Sequence, residues 1–326
     1  MKSMLGPFLL LLILTVLGIT AREDTENNTA EPISGRKNTE NTILPADVLS
    51  RVILFRDSLE QIRIEMGKPS LKNDKLDVSN VSPREVYFQA LVMFRKADRL
   101  SYAWTSTKKN EPKKISEVLI KPYHVFRNVN AAHDRIVLVK NKFNITEKIY
   151  EKVELESTTA TDVFIAIMAE NRRLNMLLDR KIEPSDVYEQ VDLIINYVKQ
   201  LLLQNTILKK PKYINKKSPS DVYYNLYECF LLIENIFTLS NKKIMKIKLN
   251  KSEVANKTPS DVYDFTIVLL SEVSYLNSLK NTQYKADAIK NNDKMLPSHV
   301  FQHVSYLKMY LELLLQETEE SLHGFK

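Results

Sequence analysis

Apolar and polar residues follow one another along this chain with a helical period, and the same pattern returns eight times. The first residue of each unit is taken as position zero. The units then begin at Pro45, Pro83, Pro122, Ala160, Pro184, Pro219, Pro259 and Pro297, spaced 38, 39, 38, 24, 35, 40 and 38 residues apart. Position 3 is valine throughout, from Val48 to Val300. Position 4 is Leu49 in the first unit and aromatic afterwards, as Tyr87, Phe126, Phe164, Tyr188, Tyr223, Tyr263 and Phe301. Positions 7, 10, 14 and 17 carry the apolar series onward. They are Val191, Ile194, Val198 and Leu201 in the fifth unit, and Val304, Leu307, Leu311 and Leu314 in the last. Thr266 interrupts the series in the seventh unit. Steps of four and three in alternation draw one stripe along a helix of about five turns. The fold class predicted is therefore all-α: an eight-unit helical repeat, arranged as two four-helix bundles or as one continuous helical array.

The start of each unit carries the chemistry of a helix start. Ser82, Thr159, Ser218 and Thr258 precede position zero and suit the N-cap, where a hydroxyl accepts from an otherwise unpaired amide. Proline at the first helical position gives up only an N–H that lacks an intrahelical partner anyway. Position 2 is then the third helical residue, where an acid completes a capping box. It is Asp47, Glu85, Asp162, Asp186, Asp221 and Asp261 in six units. These recurring acids read as structural caps in the positive end of the helix dipole, not as catalytic groups.

Most linkers run to about 14 to 18 residues. A 20-residue helix spans ~30 Å and a 15-residue linker reaches ~50 Å, so a linker can return along a helix or hold a short one of its own. The segment 145–155 is apolar enough to attempt the latter. The junction between Asp179 and Pro184 is too short for either, which predicts an antiparallel hairpin of the fourth and fifth helices. It also divides the units into bundles over 43–181 and 182–326.

The N-terminus reads as an export signal over 1–21. Lys2 is followed by an apolar run from Leu5 to Ile19, short for a membrane span, and Ala21 supplies the small residue of a cleavage site. Without cleavage the run would act as a membrane anchor. Residues 22–42 are polar and aperiodic, a disordered leader. The expected localisation is periplasmic or secreted. Only 5 glycines occur, in keeping with helices. Cys229 is the single cysteine, so no internal disulfide supports the fold; it falls at a core position of its unit.

Candidate chemistry is sparse. His299 and His303 stand four apart on one helix face, a spacing that helical metal sites use, but no Glu or Cys completes a set nearby. His124 occupies the unit position of His299. Trp104, Tyr188, Tyr223 and Tyr263 are candidates for a ligand or partner groove, against a simpler role flanking the core. From Asn205 to Lys257 the chain carries 11 lysines and four acids, a local charge of +7. If both lysine-rich linkers emerge at one end of a bundle, Lys209, Lys210, Lys212, Lys242, Lys243, Lys246 and Lys248 form a patch for an anionic envelope component. Arginines interleaved with aromatics are absent there, which speaks against nucleic acid. No phosphate loop, nucleophile elbow or metalloprotease motif is present, and no cofactor is implied. The expectation is a non-enzymatic exported scaffold or adaptor with a protein partner, the alternative a helical-bundle sensor or carrier of a small ligand.

Overall fold

The computed structural model describes residues 43–70, 77–113, 115–147, 157–178, 182–204, 206–249, 254–280 and 294–323. The export signal, the leader and most of the segment 145–155 lie outside the described residues. The helices are α1 (Pro45–Glu65), α2 (Pro83–Thr105), α3 (Pro122–Lys142), α4 (Ala160–Leu177), α5 (Pro184–Leu201), α6 (Pro219–Leu239), α7 (Pro259–Leu279) and α8 (Pro297–His323). Each opens at position zero of a unit.

At all eight starts the residue before position zero donates its backbone N–H to the side chain at position 2. The acceptor is a carboxylate in six helices, as in Ser218 N to Asp221 at 2.7 Å and Thr258 N to Asp261 at 2.8 Å. In α3 and α8 it is an imidazole nitrogen, with Lys121 N to His124 Nδ1 and Leu296 N to His299 Nδ1 both at 3.0 Å. Thr159, Ser218 and Thr258 return the bond, accepting from the N–H at position 2 at 3.2–3.3 Å. A box of this kind satisfies two amides at a helix end.

The stripe is the core. In α5 it is Val187, Val191, Ile194, Val198 and Leu201, all buried. Each such side chain stabilises the fold by ~1.5–3 kcal/mol relative to exposure. Cys229 is fully buried in the α6 stripe. The stripe has one more break than Thr266: Glu170, at position 10 of α4, is also buried. Four loop asparagines, Asn80, Asn144, Asn241 and Asn256, take left-handed backbone, which asparagine tolerates better than most residues. They fill a role that glycine often has, which suits a chain so poor in it.

The first four helices form a ring in which α1 and α2 each pack against both α3 and α4. The last four repeat it, with α5 and α6 each packing against both α7 and α8. Within each ring the helices run parallel. Pro184, Val187, Pro219, Val222, Pro259, Val262, Pro297 and Val300 meet in one apolar cluster at the N-terminal end of the second ring. In the first ring, contacts join matching heights, as in Arg135 to Asp98 and Trp104 to Phe143.

Parallel helices require connections that travel back. The α5–α6 linker climbs along α8: Leu208 N donates to Tyr310 Oη, Gln302 to Pro211 O, and Lys217 N to Ser298 Oγ. The α6–α7 linker climbs along α6, with Tyr227 Oη donating to Ile247 O and Lys257 N to Ser220 Oγ. A short strand in that linker, β2 (Lys246–Lys248), pairs antiparallel with β1 (Asp77–Ser79) of the α1–α2 linker.

The two rings join through α7, which runs antiparallel to α2. Arg84 in the first turn of α2 meets Glu272 late in α7. The expected α4–α5 hairpin does not form. α4 packs on α1, α2 and α7, while α5 packs on α7 and α8. Each already buries its stripe in its own ring.

Candidate functional site

Three groups of polar residues and one apolar opening compete for a functional role. The first group lies between α5 and α8. His303 Nε2 sits 3.2 Å from Asp192 Oδ1, and its ring stacks on Tyr188 with centroids 4.0 Å apart. The bond to His303 holds the Asp192 carboxyl below its usual range. One turn on, the hydroxyls of Tyr306 and Tyr310 are 3.0 Å apart, and Tyr306 donates to Leu208 O at 2.9 Å. The return linker therefore closes over this cluster. His299 points elsewhere: it caps its own helix and leans on Tyr213 at 5.1 Å. The two histidines do not converge. Among the described residues no group of three His, Cys, Asp or Glu stands close enough to hold a metal ion.

The second group is the seam between α2 and α7. Arg84 pairs with Glu85 and Glu272, both at 2.9 Å, and its guanidinium lies 4.2 Å from the centre of the Tyr275 ring. Burial, with Glu85 beside it, pushes the Glu272 carboxyl well above the usual range. Lys96 Nζ lies 3.1 Å from Asp264 Oδ1, and Gln89 donates to Asp264 O and takes an amide bond from Asn171. Burial drives the Lys96 ammonium down and the Asp264 carboxyl up. Position 6 of the repeat supplies Gln89 here, and Asn225 and His303 in the second ring, where they reach neighbouring helices. The stripe hides this signal: position 6 is polar in most units, although it faces a neighbouring helix.

The third group surrounds Glu170, in a cleft of about 400 Å³ between α1 and α4 lined by Val52, Arg56, Ala166, Ala169 and Arg173. Arg173 Nη1 donates to Glu170 at 2.9 Å. Burial outweighs that bond and pushes the carboxyl up to about 7. An acid in an otherwise apolar stripe was the signal that would have marked it.

The apolar opening is at the base of the second ring, where the four parallel helices end. Leu201, Leu203, Ile236, Leu276, Leu279 and Leu314 line a cavity of about 330 Å³. Ser240, Lys242, Lys280, Glu317, Thr318 and Ser321 form its polar edge. Glu317 accepts from Leu203 N at 2.9 Å, and Lys280 donates to Leu201 O.

The sequence-based groove does not assemble. Tyr188 is taken by His303, Tyr223 stacks on Phe265 at 4.8 Å, and Tyr263 is half-buried beside Arg95. Trp104 lies in the other ring, 4.7 Å from Phe143. Nor do the lysines gather at one end, because the linkers run lengthwise. Lys209, Lys210 and Lys212 follow α8; Lys242, Lys243, Lys246 and Lys248 follow α6, with Lys246 paired to Glu234. His133 is buried, with Nε2 3.4 Å from Ser58 Oγ. No helix of the described residues is long and apolar enough to cross a membrane. Comparison of the chain with family models, with curated proteins and with solved structures finds no match.

Proposed function

We propose that this chain is an exported, non-enzymatic binding scaffold of the cell envelope, with its binding end at the base of the second ring. Apolar exposure there carries the reading: Leu203, Leu279 and Leu322 stand 77, 38 and 47% exposed at or beside the opening. Exposed apolar side chains clustered round a hollow mark binding surfaces. The buried polar groups support the same view, since their partners are the chain's own helices. They fix two rings as a frame and leave the base open. The N-terminal apolar run supports export. A carrier of a small ligand is the second reading, favoured by the cavity at the same end.

The test is tagged protein crosslinked in its native envelope and analysed by mass spectrometry, with Leu203→Ser/Leu279→Ser beside the wild type. A stoichiometric partner recovered with the wild type and lost with the double variant is the expected result. Recovery unaffected by the variant would overturn it. So would substrate turnover abolished by a point substitution that leaves the fold intact.

A further inference from the structure

We infer that the basal cavity of the second ring binds one anionic amphiphile, an acyl chain with a carboxylate-type head. This deepens the carrier reading and rests on placing the binding end there. The cavity, about 330 Å³, lies at the low end of ligand pockets, which span ~300–1,000 Å³. Its wall is leucine and isoleucine from the ends of α5, α6, α7 and α8, with no aromatic to stack a planar ring. An unbranched chain fills such a space by apolar contact alone.

The head follows from the charges at the edge. At that edge Lys242 and Lys280 stand against one carboxylate, Glu317. Lys280 also donates to Leu201 O and Glu317 accepts from Leu203 N, bonds to neutral groups that hold the end of α5 and leave both charges in place. Lys242 is exposed and pairs with no carboxylate among the described residues. With Lys280 it makes the edge net positive. Four parallel helices also turn their carbonyl ends towards this base, a negative field. An anion can settle there only against a lysine, and Lys242, which holds no other element, carries most of the preference for its charge.

The test is calorimetric titration of the full chain with dodecanoate, dodecanol and dodecylamine, each below its aggregation concentration. Dodecanoate should bind at one molecule per chain and more tightly than either alternative. Lys242→Glu, at an exposed side chain, should weaken dodecanoate by about tenfold or more while leaving dodecanol unchanged. Leu276→Trp should abolish binding of both by filling the wall, with circular dichroism checking the fold. Absence of dodecanoate binding, preference for dodecylamine, or indifference to Lys242→Glu would each overturn the inference. Crosslinks from positions 203 and 279 to a protein partner, with no dodecanoate binding, would overturn it and leave the scaffold reading standing.

Discussion

Lys96 Nζ lies 3.1 Å from Asp264 Oδ1 where the two side chains are only 6% and 1% exposed. The pair joins α2 to α7, and so joins the two rings. Burying two charges costs several kcal/mol per ion, which their attraction offsets only when both are present. Lys96→Met should therefore destabilise the chain by ~3–5 kcal/mol, because Asp264 is left buried alone. Lys96→Met/Asp264→Leu should recover most of that loss. Urea unfolding of the single and double variants measures it; equal losses would show that the pair is not coupled.

Arg84 faces two carboxylates in the same seam. Glu272 is already pushed towards its protonated form, so Glu272→Gln keeps its shape and removes little charge. Stability at neutral pH should be nearly unchanged. Arg84→Met removes the one cation between Glu85 and Glu272 and should cost ~3–5 kcal/mol. Thermal unfolding of both variants checks the order.

Burial pulls His133 down to about 3 from an ordinary 6.5, with Arg51 and Lys140 adding to it. The folded state then binds fewer protons than the unfolded chain between those values. Stability should be fully present above pH 6.5 and fall as pH drops towards 3, at ~1.4 kcal/mol per pKa unit. His133→Gln should flatten this part of the profile. Glu170 acts with the opposite sign: its raised value of about 7 gives stability that is full below pH 4.5 and lost as pH rises through 7. Unfolding free energies of Glu170→Gln should show no such loss.

Asp221 accepts from Ser218 N at 2.7 Å and Ser218 accepts from Asp221 N at 3.2 Å. Asp221→Ala should cost about 1 kcal/mol of stability, as a lost cap does, and leave ligand and partner binding intact. Loss of binding at unchanged stability, measured by titration beside unfolding, would give the acid a role beyond the cap.

Cys229 is fully buried, and burial pushes its thiol up. A thiol reagent should leave the native protein unmodified and label one cysteine per chain in urea. Rapid native labelling would place the α6 stripe at the surface.

Much of this molecule was legible from order along the chain alone. Helix starts are local: a capping residue, a proline and an acceptor at position 2 satisfy one another within four residues, so Pro219 and Pro259 declare themselves without any neighbour. The buried face is local too, since Val222, Leu226 and Cys229 share a side of the helix by spacing. Pairing is not local. Whether the chain after Leu201 turns sharply or climbs back along α8 depends on what Leu208 and Pro211 meet, and those partners lie about a hundred residues away. Glu170 stands on the stripe, where one acid among apolar residues shows its burial only once α1 covers it, and position 6 lies off the stripe, where an amide reads as solvent-facing until a second helix packs on it. The basal cavity escaped for a related reason: Leu276 and Leu314 read as ordinary core, and only the parallel ring, ending on one side, leaves them around a space. Sequence by itself determined where each helix begins and which face it buries. The tertiary structure decided direction, neighbours and the open end, because those depend on contacts between segments that no local pattern encodes.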